Sequence, residues 1–194
     1  VDPGHGSDSG ATSPISGKKE DHYVLIMSYL ARDYLEAHGA NVRMTRFDNS
    51  ILPGLQERVN FSNACGAASF NAVHLNSAGN VNARGLELYF RSKDTVSQAQ
   101  GRKLHDAMVA ATGIPSRGVR PDKETLGYTL AVLSESHKMH NKTLSEACFL
   151  TNAADVAMLE RTACLDQWAW GIYAGTARQL GVEPTPLTST AVEA

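Results

Sequence analysis

Four side chains in this sequence are of the types that metal-assisted hydrolysis needs: His5, Glu20, His74 and Glu146. His5 stands in Asp2-Pro3-Gly4-His5-Gly6, which reads as the end of a strand running into a turn. Loops at the carboxyl ends of strands are where α/β folds hold ligands. Flanking glycines let backbone approach closely and leave room around the imidazole. Glu20 follows beside Lys18 and Lys19, in the first turn of a predicted helix, after a glycine- and serine-rich loop. His74 closes the apolar run Phe70–Leu75 and precedes Asn76-Ser77, and Glu146 lies inside the apolar segment Leu144–Leu150. A carboxylate in such a segment is costly to bury without a partner. Two imidazoles and one carboxylate suit a tetrahedral Zn²⁺ whose fourth position is left to water. Such an ion polarises a carbonyl and lowers the pKa of its water towards about 7. A further carboxylate is then needed to pass the water's proton to a leaving amine. His5, Glu20 and His74 are therefore candidate ligands, and Glu146 the candidate general base and acid.

Spacing alone leaves plainer readings open. The intervals are not a local signature of the H-E-x-x-H kind. A strand-end histidine is commonly a hydrogen-bonded structural residue, and an acid in the first helical turn favours the helix dipole. Glu146 is the hardest to dismiss. Asn76 is a candidate substrate-binding residue or a turn residue closing its strand. Glu87 reads either as a partner orienting a metal histidine or as part of a solvated strand face. His22, His38, His105, His137 and His140 read as surface or capping residues, Asp122–Glu124 as a solvated loop, and Ser134–Lys142 as an exposed loop near the site.

The elements that must position these groups alternate. Asn41–Arg46, Ser69–Leu75, Gly85–Arg91, Leu130–Leu133 and Thr143–Leu150 are predicted strands. A helix runs from near Ser16 or Gly17 to His38-Gly39, carrying Tyr23, Met27, Leu30 and Tyr34 at helical spacing. Further helices are predicted from about Gly54 to Cys65, Val96 to Thr112, and Thr162 to Leu180, with a short one starting at Asn152. The last buries Leu165, Trp168, Ala169, Ile172, Tyr173 and Leu180 as a stripe. Alternating strands and helices imply an α/β layer fold with a largely parallel sheet. Beyond Gly181 the chain becomes rich in Pro and Thr, so residues 1–181 are expected to form one domain and 182–194 a tail or linker.

Composition narrows the function classes. The 194 residues carry a net charge of −2 with histidines neutral, which excludes a generic nucleic-acid binder. It also argues against binding anionic membranes by bulk charge. The longest apolar stretches, Tyr23–Met27 and Ala107–Ala111, fall far short of the roughly 20 residues a membrane span needs. Aromatics are 7%, too few for a stacking platform. Cys65, Cys148 and Cys164 form no C-x-x-C pair and read as structural thiols rather than a disulfide scaffold. The opening Val-Asp-Pro-Gly suggests that residues precede this chain, a signal peptide among the candidates.

In order along the chain, four blocks resemble the zinc-dependent N-acetylmuramoyl-L-alanine amidases of the Amidase_3 type, found among autolysins, periplasmic division amidases and phage endolysins. They are Asp2–Gly6 with Asp8, Gly10-Ala11, Gly17 and Glu20; Met44-Thr45-Arg46 with Asp48, Leu55, Arg58 and Asn63; Val73–Ser77 with Gly85–Tyr89; and Arg117-Gly118-Val119 with Leu130–Leu133, Glu146–Asn152, Asp155 and Leu159. The resemblance implies His5, Glu20 and His74 as ligands of one Zn²⁺ and Glu146 as the catalytic glutamate. It implies a single α/β domain with a mixed, mostly parallel, six-stranded sheet and about six helices. The implied reaction is hydrolysis of the amide between N-acetylmuramic acid and L-alanine in peptidoglycan, zinc-bound water attacking. A monomer acting at the cell wall is expected, whether secreted, periplasmic or phage-released. A weak wall-binding module and a zinc peptidase of the stem peptide are the alternatives. Ser7, Ser62 and Cys148 depart from the family's usual small residues. Division amidases carry a long inhibitory helix after the Gly-x-Glu strand. Only Ser92–Ser116 fills that interval here, so an uninhibited site is expected.

Overall fold

The computed structural model describes residues 1–186; the expected tail falls mostly outside them. Five strands form one sheet: β1 (Asp2–Pro3), β2 (Phe70–Asn76), β3 (Leu86–Phe90), β4 (Ser116–Pro121) and β5 (Lys142–Phe149). Their order is β1-β2-β5-β3-β4. The β1·β2, β2·β5 and β3·β4 pairs are parallel, and β3·β5 is antiparallel. The sheet is thus mixed and mostly parallel, with five strands rather than six. Six helices accompany it: α1 (Glu20–Ala37), α2 (Leu55–Cys65), α3 (Thr95–Thr112), α4 (Asp122–Leu126), α5 (Ala153–Leu159) and α6 (Thr162–Gln179).

The strand expectations fail in two places. Asn41–Arg46 alternates buried and exposed residues as a strand would, yet joins no ladder among the described residues. Leu130–Leu133 folds as a short 3₁₀ turn over Ala131–Leu133. β4 was not expected, because Ser-Arg-Gly-Val-Arg-Pro has no apolar run. It is a half-buried edge strand, and edges tolerate Pro and charge. Asp122 is no loop residue: it is fully buried, opens α4, and accepts from the amides of Ser92 and Leu130.

Val73, Leu75, Leu86, Leu88 and Ala147 turn to one face and pack with α1, α3 and α6. Trp168 is fully buried there, and Gly171 and Gly175 of α6 let that helix close on α3; a Cβ on Gly175 would sit 2.5 Å from Leu104 Cα. Leu180 caps α6 and is exposed, so it is not part of the buried stripe. The opposite face carries Ala72, Tyr89 and Leu144, covered by Val132 and Leu133. His74, Glu146 and Glu87 continue this second face on neighbouring strands, in register. No helix among the described residues is long and apolar enough to cross a membrane.

Candidate metal centre

His5 sits two residues past the short parallel pairing of β1, with φ +60°, a left-handed conformation that costs a side-chain-bearing residue energy. Two buried arginines impose it. Arg46 donates from Nε to Pro3 O (3.0 Å) and from Nη2 to Gly4 O (2.6 Å). Arg58 donates from Nη1 to Pro3 O (2.9 Å) and from Nη2 to His5 O. Three successive carbonyls ahead of and at the histidine are thereby fixed. Arg58 also pairs with Asp2 Oδ1 at 2.6 Å, both side chains being buried. These clamps carry the Thr-Arg and Leu-x-x-Arg elements quoted above, whose role spacing did not disclose.

Glu20 opens α1 and reaches inward between the two imidazoles. Its Oε1 lies 3.0 Å from His5 Nε2 and 3.0 Å from His74 Nδ1, and accepts from the Leu75 amide at 2.9 Å. Its Oε2 accepts from the Ala11 amide. The imidazole rings stand edge to face, centroids 4.8 Å apart. One donor atom from each of His5, Glu20 and His74 lies within 4.8 Å of the others. Room for this packing comes from glycine: a Cβ on Gly4 would meet His74 Cε1 at 2.3 Å, and one on Gly10 would meet His5 Cδ2 at 2.6 Å. Asp8 approaches His5 Nδ1 at 3.3 Å, where a carboxylate would orient the imidazole towards a metal. Burial alone would raise the Glu20 carboxyl, but hydrogen bonds from His5 and His74 bring it down to about 2. Burial opposes protonation of His5, yet Glu20 and Asp8 outweigh it and raise its pKa.

Glu146 is the cross-strand partner of His74 on one side and Glu87 on the other. Its Oε2 is buried and has no hydrogen-bond partner. Burial, then the charges of Glu20 and Glu87, push its carboxyl well above the ordinary range. An orphaned carboxyl oxygen beside two nitrogens and one carboxylate fits a cation site of the zinc type.

Asn76 and Glu87 meet: Asn76 Nδ2 donates to Glu87 Oε1 at 2.6 Å. Glu87 also accepts from Tyr89 and from Arg117 Nε, at 3.1 and 2.9 Å, and touches no histidine. It is buried, neither a solvated face nor a ligand's partner. His105 and His137 are buried too, contrary to the surface reading. His137 Nδ1 faces Val132 O at 2.6 Å and must donate there, so Nε2 accepts from Ser62 at 2.9 Å. That pairing accounts for the hydroxyl of Ser62. The Ser134–Lys142 loop is pinned to α2, Asn63 bonding Ser136 O and the Lys138 amide. Cys148 and Cys164 are buried thiols, whereas Cys65 is exposed. The helix filling the 92–116 interval, α3, packs on the sheet face opposite His74 and Glu146.

A cavity of about 520 Å³ opens beside the cluster, lined by His5, His74, Leu52, Leu55, Tyr128 and Leu130 among others. One larger concavity, of about 570 Å³ beside Val1 and Thr176, has no histidine or carboxylate in its lining.

Comparison with known proteins gives a consistent picture. Residues 1–178 match the sequence model of the family described as N-acetylmuramoyl-L-alanine amidase. The chain is 28% identical over 172 residues to N-acetylmuramoyl-L-alanine amidase AmiA of Escherichia coli (strain K12), covering 77% of this chain and 58% of that protein. It is 29% identical over 191 residues to the endolysin of Bacillus phage SPP1, covering 94% of this chain and 66% of that one. The chain thus spans less than two thirds of these relatives. The catalytic domain of CwlV, an N-acetylmuramoyl-L-alanine amidase from Bacillus (Paenibacillus) polymyxa, superposes with a TM-score of 0.84 at 29% identity, covering 94% of this chain and 97% of that domain.

Proposed function

The chain belongs to the N-acetylmuramoyl-L-alanine amidase family, and from that premise we propose that it hydrolyses the amide joining N-acetylmuramic acid to L-alanine in peptidoglycan. The observation that carries this reading is the convergence of His5, Glu20 and His74 beside a buried, unpartnered Glu146 oxygen. One Zn²⁺ is the proposed cofactor, held by His5, Glu20 and His74; when bound, it supplies Lewis acidity to the scissile carbonyl and to water. Glu146 takes the proton of the attacking water and delivers it to the leaving nitrogen. Its raised affinity for a proton suits the delivery step. Glu20 and Asp8 set the orientation of the imidazoles, and the two arginine clamps hold the His5 loop in its strained form. Asn76 borders the substrate at the end of β2, its amide fixed by Glu87. The site of action is the cell wall, with residues 1–181 as the catalytic domain working as a monomer.

Digestion of purified peptidoglycan with and without a chelator, followed by mass spectrometry, tests this. Stem peptides with a free N-terminal L-alanine are expected, and only without chelator. Cleavage inside the stem peptide would replace the amidase reading with a peptidase, and binding without cleavage would replace it with a wall-binding module.

A further inference from the structure

Beyond Glu146, away from the candidate metal ligands, lies a charged cluster of which the proposed function uses only Glu87, to hold Asn76. Glu87 is buried and faces two guanidinium groups: Arg117 Nε at 2.9 Å and Arg120 Nε at 3.6 Å. One carboxylate therefore meets two cations. Arg120 Nε also donates to Arg117 O at 3.0 Å, and the Arg117 guanidinium lies over the Phe149 ring, 4.8 Å from its centroid. Each arginine is thus fixed through its Nε edge. The Nη groups of both make no hydrogen bond among the described residues, and the side chains are about one third exposed (32% and 38%). A guanidinium pinned at Nε with free Nη donors is preorganised for a second anion.

The layout of the site says which part of the substrate arrives there. A proton donor must reach the leaving nitrogen, so the peptide half begins at Glu146. The apolar cavity on the His5 and His74 side leaves the sugar and lactyl half a place of its own. The peptide then runs across β3 towards β4. Neighbouring strands are about 4.8 Å apart, and an extended chain advances about 3.5 Å per residue. Because Arg117 and Arg120 reach back from β4 to Glu87 on β3, one strand interval from Glu146, the second stem residue comes within their reach. In peptidoglycan that residue is a glutamate linked through its side chain, whose α-carboxyl group is free in some walls and amidated in others.

Resting on the amidase reading, we propose that Arg117 and Arg120, oriented by Glu87, recognise the free α-carboxylate of the second stem residue and make the enzyme selective for walls that carry it. The pair is a specificity device and takes no part in bond cleavage.

The test uses two soluble muramyl peptides that differ only in a carboxylate or carboxamide at that position, with the whole chain loaded with zinc. The unmodified enzyme is expected to show a KM about tenfold lower for the acid. In Arg120→Gln this ratio should shrink towards one, and Arg120→Lys should restore part of it. Equal KM values for the two substrates in the unmodified enzyme overturn the inference while leaving the amidase reading intact. A ratio that survives in both Arg120→Gln and Arg117→Gln also overturns it. Failure to cleave either substrate removes the amidase reading and this inference with it.

Discussion

Glu146 sets a structural cost against the proton-transfer role proposed for it. An acid in the central strand of a sheet, with one oxygen buried and unpartnered, is a destabilising choice. Replacing it with Gln keeps the shape and removes proton transfer. Glu146→Gln is expected to retain stoichiometric zinc, measured by metal analysis, while turnover falls about 10²–10⁴-fold. His74→Ala should lose both metal and turnover. Retention of normal turnover by Glu146→Gln would remove it from the mechanism. At this scale the sequence was informative where a residue violated its surroundings, as Glu146 does in an apolar run. It was silent where the partner lies far along the chain. Glu87 is an acid on a strand like many others, and only folding shows Asn76, Arg117 and Arg120 around it.

At the scale of elements, the site depends on a loop that is held rather than self-supporting. The Asp2–Arg58 pair lies beneath it, both members buried. Removing one member of a buried pair leaves the other charge uncompensated, at a cost of about 3–5 kcal/mol. Arg58→Met is therefore expected to lower unfolding free energy by that order in a denaturant titration and to weaken zinc binding in the folded fraction. A variant with native stability and zinc affinity would show the clamp to be dispensable. Long amphipathic helices were read to within a few residues, because a 3.6-residue period over four or five turns is unambiguous. Short elements were not. A four-residue apolar run such as Leu130–Leu133 fits a strand or a helical turn equally, and tertiary packing decided for the turn. The charged edge strand β4 had no pattern to read. Asn41–Arg46 had the right alternation and runs beside β1, Val1 N donating to Arg43 O at 2.9 Å, yet it forms no ladder among the described residues.

On the scale of the whole molecule, acid should act through a histidine outside the His5, Glu20 and His74 group. His137 is buried between Val132 and Ser62, and burial holds its pKa below the usual value near 6.5. Above that value both folded and unfolded chains carry it neutral. Below it the unfolded chain takes a proton that the folded one refuses, so stability falls as pH drops. The expected contribution is at most about 1.4 kcal/mol per pH unit, read as the difference between the parent and His137→Phe in how unfolding free energy, from urea titrations, changes from pH 7 to 5. Identical slopes would assign acid sensitivity to other groups. One consequence of the topology concerns truncation. β5, the last strand among the described residues, occupies the middle of the sheet, with β2 on one flank and β3 on the other. The two halves of the sheet have no edge in common until residues 142–149 slot between them. A polypeptide clipped before that segment keeps both histidines of the cluster but has neither a joined sheet nor Glu146.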